Sequence, residues 1–238
     1  MWVALPLIVG SLLLVICGFI WVARRDTMAL AQQIAGLDTV PLDEIALHNM
    51  NAVRARVGKV PAIDDPVTDE PTVFYELRVE RTDQGETLLH HREAGLVTLA
   101  DGHGRAEVML AGAEIAGLEL RELETADRTP SPKMAALLER FDIRVPTESN
   151  AARYALMHRA IRIGTDLTVV GVPRVREKDG QKSLPRFTPS AGPLYVTPDE
   201  LPVLQQRESA DLKAMNLMLG IGAALGVAAT AVGLFLMI

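Results

Sequence analysis

Two long apolar segments, one near each end of the sequence, constrain the fold more than any other feature. Residues 2–23 and residues 216–238 contain no charged side chain. A helix rises about 1.5 Å per residue, so roughly 20 residues cross the ~30 Å hydrocarbon core of a bilayer. The sequence therefore predicts transmembrane helices at 1–25 and 216–238, with a domain between them.

A cleaved signal peptide is the alternative interpretation of the first segment. It is disfavoured because no basic residue precedes the apolar run and no small-x-small site precedes Arg24 and Arg25. Lipoprotein processing at Cys17 is also disfavoured, since Ile16 lies where a small residue is needed. We therefore expect a retained anchor.

Small residues follow one face of each predicted span. Gly222 and Gly226 form a GxxxG motif that Gly233 extends, and the first span offers Ser11 and Gly18. Small side chains at this spacing let helix backbones approach closely in lipid. Two alternatives stay open: the spans pair within one chain, or the C-terminal span forms a homo-oligomer.

Basic residues beside the spans set the expected orientation. Arg24, Arg25, Arg207 and Lys213 all flank the central segment. Lysine and arginine near the ends of spans stay on the cytoplasmic side. We therefore expect an integral protein of a bacterial inner membrane, with residues 24–215 in the cytoplasm and the lipid bilayer as one partner.

Composition excludes several classes of function. A formal net charge of −6 argues against a nucleic-acid partner, because phosphate neutralisation needs a basic surface. Cys17 is the only cysteine, which excludes an intrachain disulfide and a zinc site built from clustered thiolates.

The central segment predicts an α+β domain that is mainly β. Residues 26–51 have apolar residues at helical spacing and predict a connector of two short helices. From residue 52 the apolar period changes to two, which is typical of strands. The predicted strands are 52–60, 73–81, 85–93, 95–102, 104–112 and 166–177.

Helices complete the domain prediction. Ser131 and Pro132 predict the start of a helix over 131–141, inserted into the strand series. Residues 197–215 predict a juxtamembrane helix leading into the second span. A helix inserted among short strands favours an OB-like, five-stranded barrel for residues 52–196.

Five stretches in serial order carry a family resemblance. They are DDPVTDEP, VFYELRVER, LVTLADGHGRAEV, ALLERFDI and RYALMHRAIRIGTDLTVVGVPRV, set between two apolar spans. This order resembles the GIDE (mulan-type) family, whose best-known members are mitochondrial outer-membrane RING ubiquitin ligases. The resemblance implies a beside-a-membrane domain for the region between the spans.

The sequence departs from that family in ways that change the expected activity. No residue matches the zinc ligands of a RING, so the resemblance is to a RING-less, prokaryotic-like form. Thr72 and His158 also stand where the family commonly has cysteine and an acidic residue. The resemblance therefore implies a membrane-tethered recognition module without ligase activity of its own.

No motif predicts catalysis, a metal site or a cofactor. His90 and His91 are adjacent in a predicted strand, so their side chains point to opposite faces and cannot readily share a metal. The serines lie in caps and loops without a neighbouring base. A basic hairpin is interpreted as solvent-facing, with anionic headgroups as the alternative partner; its residues are Arg174, Arg176, Lys178, Lys182 and Arg186.

The expected function is that of a non-catalytic binding or scaffold module that presents a cytoplasmic β-domain to an unidentified protein partner. The alternatives are a component of a ubiquitin-ligase-like or membrane quality-control pathway and an uncharacterised membrane enzyme. A solvated turn is the simplest interpretation of the acidic cluster after residue 63; the alternatives are a docking surface for a basic partner and a cation site with oxygen ligands, although the spacing does not fit a calcium loop. The candidate partner-binding residues are Asp64, Asp65, Asp69, Glu70, Phe74 and Tyr75.

Overall fold

The computed structural model describes residues 5–58, 61–145, 152–175, 177–178 and 181–235. They confirm a mixed α+β fold made mainly of strands. The helices are α1 (Leu5–Ala35), α2 (Pro132–Arg140) and α3 (Leu201–Phe235). The residues fall into two compact units: α1 and α3 form a helical unit, and Asp38–Glu200 forms a β-unit.

Fifteen strands are described in the β-unit. They are β1 (Asn51–Val57), β2 (Ile63–Asp64), β3 (Pro71–Arg81), β4 (Glu86–Ala94), β5 (Leu96–Ala100), β6 (Arg105–Met109), β7 (Glu114–Ile115), β8 (Arg121–Asp127), β9 (Arg153–Arg162), β10 (Asp166–Gly171), β11 (Pro173–Arg174), β12 (Glu177–Lys178), β13 (Gln181–Lys182), β14 (Arg186–Phe187) and β15 (Tyr195–Thr197). A short 3-10 helix covers Pro189–Ala191.

The larger sheet has eight strands in the order β11-β14-β6-β5-β1-β10-β15-β7. Its neighbours are antiparallel except for the β14–β6 and β15–β7 pairs. Alternate residues of its strands point into a buried apolar cluster, as the period of two predicts. That cluster includes Val53, Val97, Leu99, Val108, Leu167 and Val169.

The smaller sheet has the order β2-β3-β9-β8, and β4 also pairs with β3. One face packs against α2, where Met134, Leu137 and Leu138 are buried with Leu77 and Leu156 of the strands. This second apolar core explains the position of α2: its stripe of buried residues at positions i, i+3 and i+4 covers the sheet.

The N-terminus of α2 forms as the sequence predicts. The Ser131 side chain accepts a hydrogen bond from the Met134 backbone N–H at 3.2 Å, and Pro132 occupies the first turn. Serine at this position satisfies a backbone donor that the helix leaves unpaired, and proline lacks the donor altogether. The helix over 131–141 is therefore confirmed as Pro132–Arg140 with flanking caps.

The strands that the structure describes form no closed barrel, so the predicted OB-like closure is not observed. The reason lies in β3 and β9, which bury apolar side chains on both faces. Phe74 and Ile161 enter the core of the larger sheet, whereas Tyr75 and Leu77 enter the core beneath α2. A barrel strand buries apolar residues mainly on its inner face. Because β3 and β9 have two apolar faces, each face must be covered by a separate layer. The chain meets this requirement by forming two sheets.

The predicted connector and the helix boundaries differ from the structure. Helix α1 continues past residue 25 to Ala35, and residues 38–50 form turns on the β-unit instead of helices. The Val40 N–H donates to Ala52 O at 2.9 Å, and the buried Leu42 donates its N–H to Asp101 Oδ2 at 2.7 Å. Helix α3 runs unbroken from Leu201 to Phe235, so residues 201–215 of the predicted juxtamembrane helix and residues 216–235 of the predicted span lie in one helix.

Candidate functional site

The predicted acidic cluster is a turn built around one buried carboxylate. Asp65 is 1% exposed and accepts hydrogen bonds from Val67 N at 2.9 Å and from Thr68 Oγ1 at 2.8 Å. Asp69 has a positive φ of 54°, which this turn requires. Aspartate favours such turns because its side chain accepts from the backbone two residues on. Asp65 therefore shapes the turn and does not belong to its surface.

A buried histidine faces this carboxylate. His158 Nε2 lies 2.8 Å from Asp65 Oδ2, and the two side chains are 8% and 0% exposed. Despite this short distance, His158 Nε2 has no hydrogen-bond partner among the described residues. Sequence reasoning gave His158 no role, because its partner is far away in the chain and only the β3–β9 pairing brings β9 beside the turn.

The other members of the predicted cluster have different surroundings. Asp64 and Asp69 are exposed, and Glu70 Oε2 lies 2.5 Å from Arg162 Nε. Phe74 and Tyr75 are 0% and 2% exposed and enter opposite cores. The six candidate residues therefore do not form one surface. Adjacent residues of a strand point to opposite faces, which separates Phe74 from Tyr75.

Tyr75 also holds a polar contact at the rim of its core. Its hydroxyl donates to Glu93 Oε2 at 2.8 Å. Burial, followed by this contact with Glu93, raises the pKa of the Tyr75 phenol above its ordinary value. The residue is a packing and anchoring side chain on β3, and it presents little surface to a partner.

A polar network on the opposite face of the smaller sheet was missed by sequence reasoning. Glu76 is 5% exposed; its Oε2 accepts from Arg159 Nε at 2.9 Å, and its Oε1 lies 2.9 Å from His90 Nε2. Burial acts to raise the pKa of Glu76, but the contacts with Arg159 and His90 outweigh burial and hold that pKa below its ordinary value. Arg159 also donates to Leu118 O at 2.8 Å.

The two adjacent histidines lie on opposite faces of β4, as predicted. His90 contacts Glu76, whereas the His91 ring lies 4.5 Å from the Phe141 ring and 5.7 Å from the Tyr75 ring. Among the described residues, no group of three or more His, Cys, Asp or Glu could hold a metal ion.

The helical unit is an antiparallel pair. Gly10 lies against Thr230, and Gln205 Nε2 donates to Ile34 O at 2.7 Å, so the start of one helix meets the end of the other. The less exposed residues of α3 recur every three or four positions along its length. A repeat near 3.5 residues is the spacing of a two-helix coiled coil.

The packing face of α1 differs from the predicted one. Ser11 is exposed, and a Cβ on Gly18 would have no atom within 4 Å. The contacts are instead made by Gly10, Leu14 and Cys17, the first and last of which are buried. The shift of one residue follows from the heptad-like spacing, which places positions 10, 14 and 17 on one face.

The predicted small-residue face of α3 does lie at the helix pair. A Cβ on Gly222 would lie 2.7 Å from Cys17 Sγ, and one on Gly226 would lie 3.1 Å from Leu14. Gly226 and Gly233 are buried. Residues of α1 therefore cover the glycine face of α3 within the chain.

Both helices expose apolar side chains over the same part of the pair. Among the described residues, α3 is the one helix long and apolar enough to cross a membrane, and α1 has a shorter apolar stretch, Ile8–Val22. Phe19 is 74% exposed on α1 and Leu217 is 65% exposed on α3. Residues 1–4 and the side chains of Arg24 and Arg25 lie outside the described residues. Large exposed apolar surfaces indicate contact with lipid or with another protein.

No protein-family model, curated protein or solved structure matches this chain.

Proposed function

We propose that this protein is a membrane-anchored, non-catalytic module whose β-unit holds a protein partner near the bilayer. One observation carries the proposal: α1 and α3 pair through small residues and leave apolar side chains exposed on both helices. In water such a surface is unfavourable, by about 25 cal/mol for each Å² of apolar area, whereas lipid solvates it. The β-unit joins this anchor through the chain at both of its ends.

Accessibility of cysteines in intact membranes tests the anchor. In a C17A background, F19C places the thiol in the exposed apolar part of α1, and Q206C places it on an exposed polar part of α3. A water-soluble maleimide should label Q206C and leave F19C unlabelled until detergent is added. Equal labelling of both thiols before detergent would contradict the anchor.

The proposed orientation places residues 24–215 in the cytoplasm of a bacterial cell. The basic residues beside the spans support it. Labelling of Q206C in inverted vesicles but not in intact spheroplasts is the expected result. The reverse pattern would place the β-unit on the other side of the membrane.

The partner surface is proposed to lie at the acidic turn. Three of the six candidate residues are buried, so the proposed surface consists of the other three. Asp64, Asp69 and Glu70 keep side chains at the surface, so a basic segment of a partner protein fits this turn. Charge complementarity of this kind mainly accelerates association and adds selectivity. The buried Asp65, Phe74 and Tyr75 would support the turn from below.

Crosslinking in intact membranes followed by mass spectrometry tests the partner surface. The D64N/D69N/E70Q variant should lose the crosslinked partner, and raised salt should weaken the crosslink of the natural protein. A matched control, E122Q/E124Q/D127N, removes the same charge from exposed or half-exposed residues of β8. Equal loss in both variants would show a general charge effect and no surface at the turn.

Participation in a ubiquitin-ligase-like or quality-control pathway is the second proposal. It rests on the resemblance of the serial order of elements to the GIDE family, with the catalytic RING on a separate chain. A RING protein or a conjugating enzyme among the crosslinked partners would support it. Crosslinks to other classes of protein alone would leave the first proposal standing and remove the second.

A further inference from the structure

A pocket at the β11 end of the larger sheet has no part in the proposed partner surface. It has a volume of about 390 Å³ and lies within the size range of small-molecule sites. Its walls combine two arginines, three hydroxyl side chains and two apolar residues. They are Met109, Arg174, Val175, Ser183, Arg186, Thr188 and Ser190.

The two arginines of this pocket are cross-strand neighbours. Arg174 of β11 pairs directly with Arg186 of β14, and Arg186 pairs with Glu107 of β6. Residues directly opposite each other share a face of the sheet, and like charges in that arrangement are destabilising. The row therefore holds two positive charges and one negative charge.

Glu107 compensates only one of the two guanidinium groups. Arg186 Nε donates to Glu107 Oε2 at 2.7 Å, and a second nitrogen of the same guanidinium contacts that oxygen. Arg174 is exposed, and among the described residues it has no carboxylate partner. The side chains of Arg176, Lys178 and Lys182, which the sequence placed in the same basic hairpin, lie outside the described residues. Within the row of Arg174, Arg186 and Glu107, the Arg174 guanidinium is therefore the charge left uncompensated, on the strand that ends the sheet.

Hydroxyl groups line the same pocket. Thr188 and Ser190 follow β14 at alternate positions and form a hydrogen bond with each other at 2.9 Å, which leaves one of the two hydroxyl hydrogens for a ligand. Ser183 also lines the pocket. A hydroxyl donates one hydrogen bond, and a guanidinium donates up to five in a planar fork suited to oxyanions.

We propose that this pocket binds a phosphate group. A guanidinium together with a hydroxyl donor of the Thr188–Ser190 pair suits the several oxygens of a phosphate, and the charge-assisted hydrogen bonds of arginine are the strong contribution. Met109 and Val175 add an apolar wall, and the volume leaves room for a small organic group attached to the phosphate. Such a group occurs in a soluble phosphate ester and in a lipid headgroup.

The experiment uses the full chain and two arms that separate these sources. In neutral detergent, glycerol 3-phosphate is titrated by calorimetry while amide hydrogen exchange of residues 183–190 is followed. In nanodiscs, phosphatidylcholine alone is compared with phosphatidylcholine containing phosphatidic acid. If glycerol 3-phosphate protects residues 183–190 from exchange, with or without protection by phosphatidic acid, the ligand is a soluble ester. If only phosphatidic acid protects these residues, the ligand is a lipid headgroup. Protection in neither arm would overturn the proposal.

Three variants show whether the named residues carry the binding. R174Q should weaken binding at least tenfold, and E107Q should strengthen it, because Arg186 loses its competing carboxylate. The matched control R105Q removes an exposed arginine of β6 outside the pocket and should bind as the natural protein does. Unchanged binding in R174Q, or equal loss in R105Q, would overturn the assignment. Exchange protection of β3 shows whether each variant is folded.

Discussion

Gly10 of α1 and Thr230 of α3 are so close that a Cβ atom on Gly10 would lie 2.7 Å from the Thr230 backbone nitrogen. The same atom would lie 2.9 Å from Gly226 O. Backbone atoms cannot move aside as a flexible side chain can, so this position accepts only glycine. Gly10 therefore fixes how closely the two helices approach. Small residues permit this kind of close backbone approach between helices in lipid.

Replacing Gly10 by isoleucine should separate the two helices, whereas the same change at Gly18 should not. A cysteine at position 222 would place its Cβ 2.7 Å from Cys17 Sγ, so G222C should form an intrachain disulfide on mild oxidation. In that background, G10I should reduce the disulfide yield several-fold and G18I should leave it unchanged. Equal yields in the two variants would contradict the described face of α1.

Asp65 and Asp64 should differ sharply in their effect on stability. D65A removes the acceptor of the Val67 N–H and of Thr68 Oγ1 and leaves the buried His158 without its neighbouring charge. Leaving a buried hydrogen-bond donor without its acceptor costs about 1–3 kcal/mol. D64A changes an exposed side chain, for which about ±0.5 kcal/mol is expected. Pulse proteolysis in urea, with the protein in neutral detergent, measures both values.

Glu76 should make the stability of the β-unit depend on pH in the acidic range. Its pKa is lower in the folded protein than in the unfolded chain, so the unfolded chain takes up a proton first as the pH falls. The stabilisation is therefore fully present above the ordinary glutamate pKa of about 4.3 and is lost as the pH falls through the folded value.

The E76Q variant separates this contribution from that of other carboxylates. At pH 7 we expect a loss of about 1.5–3 kcal/mol, because the hydrogen bonds to a charged group are replaced by neutral ones. The difference between E76Q and the natural protein should narrow below about pH 5. Urea midpoints measured from pH 7 to pH 3 check this, and a difference that stays constant with pH would contradict it.

Ser131 should contribute to the stability of α2 through its side-chain oxygen. S131A removes the acceptor for the Met134 N–H and should cost about 1 kcal/mol, whereas S131D keeps an acceptor and should cost little. Amide exchange at Met134 should accelerate in S131A only. Similar exchange in the two variants would show that tertiary packing alone fixes the start of this helix.

Periodicity predicted the strands that have one buried face. β5 and β6 alternate between buried and more exposed side chains, β1 does so from Val53 onward, and each was predicted within a few residues. The turn between β5 and β6 was also predicted, because Gly102 takes a positive φ of 91° and Asp101 accepts from the backbone of His103 and Gly104. Local chemistry decides these elements.

Elements whose role depends on distant partners were not predicted. β9 carries His158 and Arg159 in its interior, and these polar residues weaken its apolar pattern. Each of them lies against a carboxylate that is more than 80 residues earlier in the chain. Phe74 and Tyr75 were assigned to a surface because the sequence does not show that β3 lies between two cores. The face of α1 was predicted one residue away from the observed one, since Ser11 and Gly18 are small but the partner helix decides which side is covered.

The charged outermost strand of the smaller sheet, β8, affects whether neighbouring molecules can join through their sheet edges when the protein is concentrated. Among the strands that the structure describes, β8 pairs with β9 alone, and it carries Arg121, Glu122, Glu124 and Asp127 on a largely exposed strand. Charged side chains on an open edge oppose the addition of a strand from a neighbouring molecule. Copies crowded side by side should therefore resist stacking into continuous sheets, and this fold can be concentrated without aggregating along that edge.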